Sequence, residues 1–104
     1  MNTEVSKIID NIVSKFNPDK IVVFGSYAGG LPTKDSDLDL LIIMDSILPR
    51  YKRASEIRLG CFPYSIPLDI LVYTPNEYEE WRYTTNHILK EIDKSGVVIY
   101  ERNS

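Results

Sequence analysis

The chain is short of the residues that define whole classes of protein. It has one cysteine in 104 residues, Cys61, which excludes an internal disulfide and leaves that side chain as a small apolar filler. It has one histidine, His87, with no second histidine near it, and is read as a surface or partly buried helix residue rather than a base. No apolar run approaches the roughly 20 residues needed to cross a bilayer. The first residues, Met1-Asn-Thr-Glu-Val-Ser, show no charged region followed by an apolar one, so no secretory signal is expected and a reducing cytoplasm is the default setting. A basic excess is also missing. Twelve Lys and Arg against fifteen Asp and Glu give a net charge of −3, which argues against general affinity for nucleic acid.

With 43% hydrophobic residues and only six prolines and five glycines, the composition is that of a globular domain rather than a disordered chain. No internal repeat, low-complexity segment or linker divides it, so residues 1–104 are expected to form one domain with a modest core.

Hydrophobic periodicity orders the elements. Val5, Ile8, Ile9, Ile12, Val13 and Phe16 make one apolar stripe of a helix over Thr3 to Phe16, stopped by Asn17-Pro18-Asp19. Lys20 to Phe24 then reads as a strand. Arg50 to Leu59 can make a short helix ending at Gly60, with Tyr51, Ala54, Ile57 and Leu59 inward and Arg50, Lys52, Arg53 and Arg58 mostly outward. Two prolines break Cys61 to Pro67. Leu68 to Tyr73 is a third strand, whose buried run Asp69 interrupts at a cost of several kcal/mol unless something compensates it. Thr74-Pro75-Asn76-Glu77 combines capping-box spacing with proline at the first helical position and opens a helix towards Lys94, with a break at Thr84-Thr85 and Tyr78, Trp81, Ile88, Leu89 and Ile92 inward. Val97 to Tyr100 is a last short strand.

The segment from Lys20 to Ile43 carries the chemistry. A strand, a Gly25-Ser26 turn and a Gly/Pro loop lead to a second strand bearing Asp37 and Asp39. Side chains on a strand repeat with period two, so these two carboxylates project from one face, with Leu41 and Ile43 carrying that face on into apolar surroundings. Two carboxylates so placed need water, a cation or a shared proton. Oxygen ligands suit a hard cation, and Mg²⁺ takes one or two carboxylates and leaves its other positions to water and phosphate. Glycine allows close backbone approach, and a short helix opened by Ser26 would turn free N–H groups and a hydroxyl towards an anion.

Gly25-Ser26, ten residues, then Asp37-Leu38-Asp39 resembles the G-S-x10-D-x-D signature of the DNA polymerase β nucleotidyltransferase superfamily in its short form, the minimal nucleotidyltransferase. The resemblance implies an α/β (α+β) nucleotidyltransferase fold, a small mixed sheet with helices packed on one face. It implies Asp37, Asp39 and Asp69 as catalytic carboxylates holding two Mg²⁺ ions, and Gly25 and Ser26 as contacts to the β and γ phosphates of ATP. Minimal nucleotidyltransferases resemble the antitoxins of pairs with HEPN-domain ribonuclease toxins. The implied reaction is therefore transfer of AMP to a toxin tyrosine within a hetero-oligomer. The alternative is an antitoxin of the same fold that neutralises its partner by covering it, with catalysis weak or lost. Many relatives carry a basic residue where this chain has Gly29, so a phosphate contact is either missing or supplied by Lys34 or the Arg50 to Arg58 cluster. Trp81 and the tyrosines are expected in the core or a partner interface, with Tyr27 the one placed to stack on adenine.

Overall fold

The structure is a computed structural model that describes residues 3–103; Met1, Asn2 and Ser104 lie outside the described residues. The chain forms α1 (Thr3–Phe16), β1 (Lys20–Phe24), a single 3-10 turn (Gly25–Tyr27), β2 (Leu38–Ile43), α2 (Arg50–Cys61), β3 (Leu68–Tyr73), α3 (Pro75–Trp81), α4 (Ile88–Ser95) and β4 (Val97–Glu101). The strands lie in the order β3-β2-β1-β4. β1 pairs antiparallel with β2 and β4, whereas β2 and β3 run parallel, so the sheet is mixed as expected. No described helix is long and apolar enough to cross a membrane.

The expectation that the helices lie on one face is corrected. β2 is buried at every position except Asp39, which is half-buried. A strand with both sides apolar is one covered on both sides. On one face Ile21, Val23, Leu38, Leu40, Ile42, Ile70 and Val72 pack with Val5, Ile8 and Ile12 of α1 and Ile57 and Cys61 of α2. On the other, Val22, Leu41, Ile43 and Tyr73 pack with Tyr78 of α3 and Leu89 and Ile92 of α4. The second face is the one that Asp39 shares with Leu41 and Ile43.

α1 ends as its sequence requires. Asn17 takes a positive φ of 48° and its N–H closes on the Val13 carbonyl at 3.1 Å, an asparagine used as a left-handed cap. α2 is rotated from its expected setting. Its inward stripe is Arg53, Ile57 and Cys61, while Tyr51 and Leu59 are exposed. Arg53 turns inward because it is fully occupied there. Its guanidinium meets Glu77 Oε1 at 2.6 Å and Oε2 at 3.2 Å, and donates to the carbonyls of Leu48 at 3.0 Å and Val72 at 3.3 Å. The helix runs through Gly60 to Cys61 instead of ending at the glycine, which is there to let α1 pass close: a Cβ on it would lie 2.6 Å from the Phe16 ring. The predicted capping box at Thr74 and Glu77 is present in both directions. The break between α3 and α4 is wider than expected, running from Arg82 to His87, and it leaves Trp81 and Ile88 at the surface.

Candidate nucleotide and metal site

The spacing of the glycine-serine turn and the aspartates follows from the hairpin that joins β1 to β2. Phe24, the last residue of β1, stands opposite Asp39 in the antiparallel register. The residue after Phe24 is therefore delivered beside Asp39. Gly25 sits there with φ of 71°, and a Cβ on it would overlap Asp39 Oδ2 and come within 3.1 Å of Asp39 Cγ. Only glycine gives both the left-handed backbone and the room for this approach. Ser26 follows with an exposed side chain in the 3-10 turn, and the opening N–H groups of such a turn have no acceptor within it.

Asp69 is brought to the same place by the parallel pairing. Asp39 and Asp69 are register partners, so their side chains leave the sheet on one face from neighbouring strands. The Leu38 N–H donates to the Pro67 carbonyl at 2.8 Å, which starts the ladder just ahead of the pair. Asp69 is exposed rather than sunk in a buried run, because it stands at the open end of an edge strand; the expected desolvation cost does not arise there. Asp37 precedes β2 by one residue and is exposed, so it stands beside the strand end rather than within the strand. The loop before it contains a turn that sequence reasoning missed. Thr33 N–H donates to Ser36 Oγ at 2.9 Å and Ser36 N–H to the Thr33 carbonyl at 3.0 Å. The T-x-x-S spacing was the available signal.

The Asp39 carboxyl feels the other two. Burial, then Asp69, then Asp37 push the Asp39 carboxyl above its ordinary range. Among the described residues none of the three has an ion-pair partner. Arg58 donates to the Leu68 carbonyl at 3.4 Å and makes no ion pair with Asp69. A structural salt bridge therefore does not account for Asp69. Among the described residues no three His, Cys, Asp or Glu side chains converge as a ready cage for an ion. An all-oxygen donor set on an open strand end nevertheless suits Mg²⁺, which needs only one or two carboxylates from the protein.

The other sequence candidates separate cleanly. Arg53 is committed to Glu77 and is not free to reach a phosphate. Lys34 is exposed in the loop between the 3-10 turn and β2. Tyr27 is half-buried and packs against the α1 side of the core. His87 caps α4, its Nδ1 accepting from the Leu89 N–H at 3.1 Å while its ring stacks on Trp81. Cys61 is buried, forms no disulfide, and donates its Sγ–H to the Ile8 carbonyl at 3.9 Å.

The nucleotidyltransferase domain family matches residues 5–65, which hold the turn and two of the three aspartates. Over 96 residues the chain is 32% identical to MJ0141 of Methanocaldococcus jannaschii, named as a candidate protein adenylyltransferase, covering 92% of each protein. It is 37% identical over 70 residues to Caffeine-induced protein 16 of Schizosaccharomyces pombe, and spans 6% of the length of that protein and 65% of its own. A toxin–antitoxin complex solved with AMP-PNP contains a chain that superposes with a TM-score of 0.63 at 18% identity, covering 97% of this chain and 75% of that one, a likeness of fold. The match of the family across the strand, turn and aspartate segment, together with a relative similar along nearly its whole length, places the chain in the nucleotidyltransferase domain family.

Proposed function

We propose that the protein transfers AMP from ATP, with Mg²⁺, to a hydroxyl of a partner protein, and that it acts in the cytoplasm as the antitoxin of a HEPN-domain toxin whose tyrosine is the acceptor. The observation that carries the reading is the meeting of Asp39, Asp69 and the Gly25 backbone from three separate places in the chain, with no ion-paired cation among the described residues to balance the carboxylates. Two relatives by likeness point the same way, one named for protein adenylyltransfer and one found in a toxin–antitoxin complex with a nucleotide analogue.

In this reading Gly25 and Ser26 hold the β and γ phosphates through backbone N–H groups and the serine hydroxyl. Asp37 and Asp39 would hold the ions, and Asp69 would contribute to the second and accept the proton of the attacking hydroxyl. Mg²⁺, when bound, supplies positive charge to the attacking and leaving oxygens. The acceptor oxygen forms a bond to the α phosphorus, the bond from that phosphorus to the bridging oxygen breaks, and pyrophosphate leaves with the electron pair. Label from α-labelled ATP should appear on the partner while γ label should not, and Asp39→Asn should abolish the transfer. Labelling unchanged by that substitution refutes the assignment.

A second reading, neutralisation by binding alone, is favoured by Gly29. It is exposed in the turn, where it offers a triphosphate no basic side chain. Calorimetric titration with Mg-ATP separates the two, since a pure binder shows no metal-dependent nucleotide affinity.

A further inference from the structure

The exposed side of α2 carries a second apolar stripe that the fold does not use. Tyr51 and Leu59 are 79% and 77% exposed and with Ser55 fall at i, i+4 and i+8 on one line along the helix, and Phe62, 73% exposed, follows directly after its end. Large apolar side chains aligned in this way differ from singly scattered exposure. At its far end Phe62 packs edge-on against Tyr64, with ring centroids 6.4 Å apart.

The charges around the stripe are mostly basic, with Glu56, one turn on from Lys52, the exception. Lys52 lies seven residues before Leu59 and Arg58 seven after Tyr51, so the two border the stripe on opposite sides. Arg50 stands at its start. None of these three cations makes a close ion pair among the described residues: Arg50 lies over the Tyr73 ring and its charge reaches Glu77, Lys52 lies over Tyr51, and Arg58 donates to a carbonyl. Glu56 is the one acidic residue of the helix. The surface is thus locally basic on a chain whose net charge is −3. It also ends at the segment that delivers Asp69, since six residues separate Phe62 from Asp69.

We infer that this stripe docks an amphipathic helix of a partner protein, with apolar residues at three- and four-residue spacing and acidic residues on its borders. The spacing selects a helix, which presents side chains at that repeat. The unpaired cations select acidic borders. α2 covers the face of the sheet opposite the one that Asp39 shares with Leu41 and Ile43, so a partner seated on its outer side is held without covering the carboxylates. The inference rests on the proposed function only for the use made of the docked partner.

The test needs no nucleotide or metal, so its outcome is independent of whether AMP is transferred. A fluorescein-labelled peptide of about 18 residues, long enough to hold a helix, carries a leucine seam bordered by glutamates; its control has lysines in their place. Fluorescence anisotropy should show saturable binding of the acidic peptide, weakened by salt, and little binding of the basic one. Leu59→Asp and Lys52→Glu should each weaken it by about tenfold or more while leaving the melting temperature unchanged, since both side chains are exposed. Equal binding of the two peptides, no binding of either, or binding unaffected by Leu59→Asp overturns the inference. So does an oligouridylate probe that binds and is lost in Leu59→Asp, or a dimer in analytical ultracentrifugation that Leu59→Asp dissociates, since these assign the stripe to nucleic acid or to a second copy.

Discussion

Two glycines in the turn region allow the close approach to Asp39 to be tested apart from backbone strain. Gly25 and Gly30 have nearly the same left-handed backbone, with φ of 71° and 75°. A Cβ at Gly30 would meet nothing within 4 Å, whereas one at Gly25 would overlap the Asp39 carboxylate. Alanine at either site therefore carries the left-handed penalty of about 1 kcal/mol, a fall of about 4 °C or somewhat more in melting temperature for a domain of this size. Gly25→Ala adds a collision that relaxes only if the Asp39 carboxylate swings away, by about 1 Å or more to restore an ordinary contact. A misplacement of that size at a reacting centre costs about 100-fold in rate. Thermal melts should thus show the two variants similarly destabilised. Transfer from α-labelled ATP to the partner should fall about 100-fold in Gly25→Ala and stay within about threefold of wild type in Gly30→Ala. If the two lose transfer equally, or if Gly25→Ala retains it, the turn and Asp39 do not work together and the proposed geometry fails.

Asp39→Asn should abolish transfer and yet raise the melting temperature of the nucleotide-free protein at neutral pH. The Asp39 carboxyl is held above its ordinary range by burial and by Asp69 and Asp37, so the fold disfavours its ionised form. Stability is lost as pH rises above the ordinary carboxylate value, and the gap between variant and wild type should close in acid. Arg53→Leu leaves Glu77 without its cation and should cost about 3 kcal/mol by urea denaturation, the lower end for a broken buried pair because Glu77 keeps some contact with water. Arg53 and the Thr74 N–H hold the Glu77 carboxyl below its ordinary range, so this contribution is present above the ordinary value and lost as pH falls through the depressed one; Glu77→Gln should approach wild type in acid. Gly60→Ala places a methyl against the Phe16 ring and should cost about 1–3 kcal/mol, recovered in part by Phe16→Leu in a double-mutant cycle.

The sheet, the strand-turn-strand segment and the capping box were legible because each leaves a local mark: alternation, glycine at a sharp turn, Thr and Glu at set spacing. The placing of Asp69 beside Asp39 came from the resemblance, since nothing local shows which strands become neighbours across thirty residues; the parallel register supplies the reason. α2 was misjudged because its two apolar stripes compete, and the deciding interaction is Arg53 with Glu77, 24 residues later. An arginine turned inward leaves no periodic signal. The two-sided cover of the sheet was readable in the unbroken apolar run of β2 after Asp39, which fits a strand buried on both faces better than one with a single wet side.

Asp39 and Asp69 are anchored unequally. β2 is flanked on both sides, but β3 is the last strand of its sheet and is held along one side by β2 alone. Fraying of that margin would carry Asp69 off while the rest of the molecule stayed folded. Catalytic competence should therefore fade on warming before the cooperative melt, and amide exchange at Ile70 and Leu71 should outpace that at Leu40 and Leu41.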